Sequence, residues 1–242
     1  MRIAILSDIH ANLEALIAVL EDIEKQDLDA VLCLGDVVGY GPDPVECINT
    51  MKTISLFVLA GNHDHAAVDL TSAQDFNPVA RAAVEWTRRQ LDEPARAYLA
   101  SLPLTRQDLG VYFVHGSPFR PEEWNYILSA ADAGRAFDCF EEPVCFVGHS
   151  HVPLVLELGQ DGRIRYRDPY GTVFQGDRRY IVNVGSVGQP RDGDPRAAYG
   201  IWDRTQKAFE LRRVAYDVQS VQRKILQAGL PPLLAYRLAY GQ

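Results

Sequence analysis

The stretch that decides the fold is residues 1–36, MRIAILSDIHANLEALIAVLEDIEKQDLDAVLCLGD. RIAILS (2–7) and AVLCLG (30–35) are short, nearly continuous apolar runs. Between them, 11–26 places Leu13, Leu16, Ile17, Leu20 and Ile23 at helical spacing, so the segment reads strand, helix, strand. Each strand runs straight into polar chemistry: Asp8 and His10 follow the first, Asp36 the second. Apolar strands separated by helices indicate a sheet buried on both faces. In open sheets of that kind ligands bind beyond the carboxyl ends of the strands.

The same alternation continues to about residue 150. ISLFVLA (54–60), GVYFVHG (110–116) and VCFVG (144–148) read as strands, with helix-like stretches at about 43–52, 78–100 and 129–140. From 151 the pattern turns β-rich: VPLVLELG, GRIRYRD, RRYIVNVGSVG, AAYGIWD and AFELRRVAY, then a helix at about 217–228 and a tail with Pro231 and Pro232. No linker, repeat or composition break divides the chain. The expectation is one domain over 1–242, with a βα half to about 150, a β-rich half to about 216 and a C-terminal helix and tail.

All six histidines fall in four clusters that follow strand-like runs: LSDIH (His10), AGNHDH (His63, His65), VHGS (His115) and VGHSH (His149, His151). Imidazole and carboxylate gathered at strand ends are what a metal site requires. VGHSH lies at the junction of the two halves, so both contribute to the site.

Bulk properties narrow the class. The formal charge is −8 and no basic stripe is present, which speaks against a long nucleic acid as main partner. No apolar run approaches the ~18 residues of a membrane span, and the N-terminus reads as a first strand rather than a signal peptide. Cys33, Cys47, Cys139 and Cys145 form no CxxC pair and read as core thiols in a reducing cytoplasm.

Taken singly, each cluster is weak; Asp8 or Asp36 alone could simply cap a helix. In the order DxH, GD, GNHD, HG and GHxH they resemble the five signature blocks of the calcineurin-like metallophosphoesterases. The resemblance covers Asp8 to His151, and NVGSVGQPRDG adds similarity to the small bacterial and archaeal phosphodiesterase-type branch. It implies an α/β four-layer α-β-β-α sandwich, two central mixed sheets flanked by helices. It also implies that Asp8, His10 and His151 bind one metal, that Asn62, His115 and His149 bind a second, and that Asp36 bridges them.

The donor types agree with that implication: two cations ~3.5–4 Å apart stabilise attacking and leaving oxygens at phosphorus. Mixed oxygen and imidazole donors suit Mn, Fe, Zn, Ni or Co better than calcium and do not choose among them; two divalent transition-metal ions are expected, with Mn the leading candidate. The implied reaction is attack on a phosphoester by a metal-bridging hydroxide, with His63 assisting the leaving group as general acid or charge stabiliser. Asp64 is expected to orient His63 through its second ring nitrogen and keep it protonated. His65 matches no role, and Ser7, Ser117 and Ser150 have no base at nucleophile spacing.

Departures narrow the substrate. Relatives that hydrolyse phosphoproteins or diadenosine tetraphosphate carry GD.VDRG and GNHE, whereas this chain has GDVVGYG and GNHD. Lacking that arginine, it is expected to act as a phosphodiesterase on small phosphodiesters or nucleotides. A phosphomonoesterase, a dinucleotide polyphosphatase or a protein-binding scaffold of the same fold are the alternatives, and a homo-oligomer is compatible. Arg191 and Tyr40 are expected to meet substrate; Arg120 reads as a solvated loop residue. Tyr40, Phe119, Trp124 and Tyr126 are loop aromatics that either stack on substrate or pack a lid.

Overall fold

The computed structural model describes residues 1–242. β1 (Arg2–Leu6), α1 (Leu13–Ile23), β2 (Ala30–Cys33), α2 (Pro44–Ile54) and β3 (Ser55–Val58) form a parallel βαβαβ unit. The chain then passes through α3 (Asn62–Ala67), α4 (Pro78–Gln90) and α5 (Glu93–Ala100) before β4 (Thr105–Asp108), β5 (Val111–Val114), α6 (Ala130–Phe137) and β6 (Val144–Val147). There follow β7 (Leu154–Leu158), β8 (Ile164–Arg167), β9 (Thr172–Val173), β10 (Arg179–Asn183), β11 (Ala197–Asp203) and β12 (Ala208–Val214). α7 (Val218–Gln227) and α8 (Pro232–Leu238) complete the chain, and no helix is long and apolar enough to cross a membrane.

The strands make two mixed six-stranded sheets, ordered β3-β2-β1-β11-β12-β9 and β4-β5-β6-β10-β7-β8. The period-2 alternation of a strand explains how they stack. Ile3 and Ile5 of β1 join Phe113, Phe146 and Val182 in a core between the sheets. Ala4 and Leu6, pointing the other way, pack with Leu16, Val19, Ile48 and Leu99 of the helices outside the first sheet. Val147 and Ile181 pack with Ala136 and Phe137 of α6 outside the second. The layers are therefore α-β-β-α.

The two mixed sheets agree with the fold that the resemblance implies, and the first-half strands divide between them because the helices after β3 carry the chain off that edge strand and onto the other layer. Alternation is silent on this point, since both faces of every central strand are apolar. The helix expected over 78–100 is two helices: Asp92 Oδ1 accepts from Ala95 N at 2.9 Å and Pro94 follows, which together start α5 afresh. Pro231 and Pro232 do not end structure; Pro232 opens α8. All four cysteines are free, but Cys139 is exposed rather than in the core.

Loops after β1, β2, β3, β5, β6 and β10, which run parallel within their sheets, carry the polar clusters. Elsewhere the sheets hold little buried charge, and the exception is Glu157 on β7, 2% exposed. It accepts from Arg167 Nε and Nη2, both at 2.8 Å, from Arg178, and from Tyr180 OH at 3.3 Å. The Arg167 hydrogen bonds, joined by Arg178, outweigh burial and hold its carboxyl down from 4.5 to about 2. Because the folded value lies below the unfolded one, this stabilisation is complete above the unfolded value and is lost as pH falls toward the folded one. Glu157→Gln is expected to lose about 2 kcal/mol near neutral pH, with the gap to wild type closing as pH drops from ordinary glutamate titration toward 2. Urea unfolding at neutral and acid pH measures it; a pH-independent gap would remove the pair from this role.

Candidate metal centre

The turns that end the strands are unusually tight. Asp8, His10, Asp36, Tyr40, His149 and His151 all adopt positive φ, between 51° and 65°. Such backbone costs about 1–3 kcal/mol per non-glycine residue and persists only where the surroundings over-determine it. Here they do: Asp8 N donates to Gly35 O at 3.0 Å, His10 N to Asp36 O at 2.9 Å, and Ser186 Oγ to Asp8 O at 2.8 Å. Two glycines permit close approach to the aspartates. A Cβ on Gly148 would strike Ser7 Oγ and lie 2.6 Å from Asp8 Oδ2, and one on Gly61 would strike the Asp36 carboxylate.

Both aspartates are divided in the same way. Asp8 Oδ2 accepts the main-chain N–H of His149 at 2.9 Å, and Asp36 Oδ1 accepts that of His63 at 2.8 Å. The other oxygens face imidazoles: Asp8 Oδ1 lies 3.2 Å from His151 Nε2 and 3.8 Å from His10 Nε2. Asp36 Oδ2 lies 3.6 Å from His10 Nε2 and 3.4 Å from His115 Nε2, between the two groups.

The histidine tautomers follow from the next layer of contacts. Nδ1 of His10, His115 and His151 sits 3.1, 3.0 and 2.6 Å from the carbonyls of Val38, Leu34 and Gln189. A carbonyl accepts only, so Nδ1 carries the hydrogen and Nε2 turns a lone pair to the centre, the arrangement usual for a metal-ligating imidazole. Asp8 Oδ1, Asn62 Oδ1, His115 Nε2 and His149 Nε2 are buried with no hydrogen-bond partner. Buried polar atoms are rarely left so, and unpartnered donors of these types at the ends of neighbouring strands fit a cation. The triads Asp8–His10–His151 and Asp36–His115–His149 each bring ligand atoms within 4.8 Å of one another, as does His10–Asp36–His63.

Electrostatics agree with a demand for positive charge. Burial lowers His10 and His151 and pushes His149 down to about 3. For His115 burial acts the same way, yet Asp36 and Asp8 together overcome it and pull the imidazole up, so its Nε2 faces negative charge that a bound cation would balance in place of a proton.

Tyr40 and Arg191 also meet here. The Tyr40 ring lies 4.5 Å from His10 and 4.4 Å from His63, and Arg191 Nη2 is 3.3 Å from its hydroxyl. Beside them a cavity of about 320 Å³ is lined by Asn62, His63, His149, Trp124 and Tyr126 among others. Tyr126 stacks on His149 at 3.9 Å, and Trp124 packs edge-on to His65. Arg120 is outside, paired with Glu123 at 2.7 Å, and Phe119 lies over a separate hollow with Arg135.

Asp64 does not orient His63. Its carboxylate accepts from Gly61 N at 3.0 Å and Val38 N at 3.1 Å, while His63 Nδ1 is buried without a partner. The reason is local: Asn62–Ala67 is helical, so neighbouring side chains diverge by about 100°. Nor is His63 kept protonated, since burial pushes it down to about 4 despite the pull of Asp36. Sequence reasoning also passed over Gln189, whose carbonyl fixes His151, and Asn183, whose Nδ2 holds the GHSH turn through Gly148 O and Ser150 Oγ. Both lie in or beside the NVGSVGQPR segment, the signal that was available.

A model of the calcineurin-like phosphoesterase superfamily domain matches residues 1–207. The chain belongs to that superfamily. It is a phosphoester hydrolase by class, with α7 and α8 lying beyond the matched region. A metallophosphoesterase structure from Sphaerobacter thermophilus is 43% identical, with a TM-score of 0.87 covering 100% of this chain and 99% of that one. An uncharacterized protein of Methanocaldococcus jannaschii is 37% identical over 99% of this chain and 98% of its own. The phosphodiesterase YfcE of Escherichia coli K12 is 25% identical over 96% of this chain and 100% of its own.

Purified protein is expected to carry transition-metal ions, up to two per chain, and Asp36→Ala to carry fewer. Elemental analysis of the two proteins side by side decides it; equal metal content would take Asp36 out of the centre.

Proposed function

We propose that this phosphoesterase is a dinuclear metal-dependent phosphodiesterase acting on small phosphodiesters or nucleotides. One observation carries the reading: two groups of buried donors face each other, with Asp36 Oδ2 between His10 and His115. Asp8, His10 and His151 would hold one ion, Asn62, His115 and His149 the other, and Asp36 both. Imidazole with carboxylate and amide oxygen suits Mn, Fe, Zn, Ni or Co. Two such ions supply a nucleophile at neutral pH and positive charge against the phosphoryl oxygens. The name and near-complete coverage of YfcE support the diester specificity.

The chain's own residues do the rest. His63 follows Asn62 and lines the cavity, where its imidazole can donate a hydrogen bond to the departing oxygen. Burial keeps that ring neutral, and a neutral imidazole still offers one N–H. Asp64 acts one step back, fixing the Gly61 and Val38 main chain on which His63 and Asp36 are carried. Arg191, with Tyr40, sets a cation at the rim for a non-bridging phosphoryl oxygen, in place of the arginine absent from GDVVGYG. The catalytic unit is the whole chain as one domain, because β10 and β11 from the second half sit in the middle of both sheets. A cytoplasmic setting fits four free cysteines.

With Mn²⁺ supplied, the protein is expected to hydrolyse a chromogenic phosphodiester. His63→Ala should lower kcat by ~10²–10⁴-fold with metal content unchanged, and full activity in that variant would exclude His63 from the reaction. A panel of diesters, monoesters, cyclic nucleotides and dinucleotide polyphosphates should show diesters leading.

A further inference from the structure

The cavity beside the metal-ligating residues is electrostatically one-sided. Asn62, His63 and His149 line the part nearest the centre, and Tyr40, Phe76, Trp124 and Tyr126 make its aromatic walls. Apart from the histidines, its only ionisable charged residues are acids, Asp75 and Glu123; no lysine or arginine lines it. Glu123 is already engaged, by Arg120 Nη1 at 2.7 Å and Asn125 Nδ2 at 3.1 Å. Asp75 is different. Arg81, on α4 next to its loop, donates instead to the carbonyls of Ala73, Gln74 and Phe76, shaping the loop and leaving the Asp75 carboxylate exposed.

Direction follows from His63. Hydrolysis forms one P–O bond from water and breaks the P–O bond to the alcohol, which leaves with a proton. The group beside the departing oxygen lines this cavity, so the alcohol departs into it, while Arg191 lies across Tyr40 and outside the lining. A volume of about 320 Å³ is within the range of small-ligand sites. Aromatic walls favour a flat or alkylated body, and a free carboxylate repels further negative charge.

We propose that this cavity is the leaving-group pocket and that Asp75 makes it select an alcohol with an aromatic or apolar body and no negative charge, against leaving groups that end in further phosphate. This rests on the phosphodiesterase reading of the centre. Asp75 is thus a specificity-determining residue, in a loop that carries no recognisable motif.

The test uses three methyl aryl phosphodiesters whose phenols are of similar acidity and bear a trimethylammonium, a neutral cyano or a sulfonate group, assayed with Mn²⁺. Wild type is expected to favour the trimethylammonium ester over the sulfonate ester in kcat/KM by about fivefold or more, with the cyano ester between. Asp75→Asn should flatten that ratio and Asp75→Lys invert it. Glu24→Gln, which removes the same charge at the far end of α1, should leave it unchanged. Sulfonate turnover as fast as trimethylammonium turnover in wild type, or a ratio insensitive to Asp75, overturns this inference alone. No turnover of any ester removes the phosphodiesterase reading and this inference with it.

Discussion

Two aspartates with no access to water set the terms for the rest of this structure. Asp8 and Asp36 are 0% and 1% exposed, and a buried carboxylate is tolerated only where hydrogen bonds and opposite charge replace its hydration. Each meets half of that need in the same way, one oxygen accepting a main-chain N–H, while the other faces imidazole Nε2 atoms across the space a cation would fill. The left-handed turns, the glycines that cannot carry a Cβ and the carbonyls that orient three histidines all serve those two oxygens. Replacing either glycine would disturb the centre without touching a ligand.

The fold supplies these contacts by interleaving the two halves of the chain. β11 joins β1 at the middle of one sheet and β10 joins β6 at the middle of the other. The loop after β10 therefore arrives beside Asp8, where Ser186 and Gly188 hold its main chain and Gln189 holds His151. The C-terminal helices contribute in turn, packing Leu234 and Leu238 into the cluster that holds Tyr40. The outcome is a site with unlike sides, a cation beyond Tyr40 and acids across the cavity. Such a field orients an asymmetric substrate more strongly than it binds a symmetric one.

Much of this was legible beforehand. Every expected strand of 1–150 forms within a residue or two, and the order of polar clusters points to the right fold. What was not legible involves contacts invisible to local pattern. Adjacency pairs Asp64 with His63, but the short helix Asn62–Ala67 turns their side chains apart. Residues 78–100 read as one helix because both pieces are amphipathic, and only the Asp92 cap with Pro94 divides them. The walls of the cavity at 71–77 have no periodicity or motif to find.

The sequence by itself determined which residue types stand at the ends of which strands, because apolar runs and the polar clusters that stop them are local features of the chain. Only the tertiary structure decided which carboxylate oxygens face the centre and which imidazole nitrogens bear hydrogen. Those choices are made by partners far away, His149 N lying 141 positions from Asp8 and Gln189 O lying 38 from His151. The second exists only once β6 and β10 have paired, and the first only once the two sheets have packed.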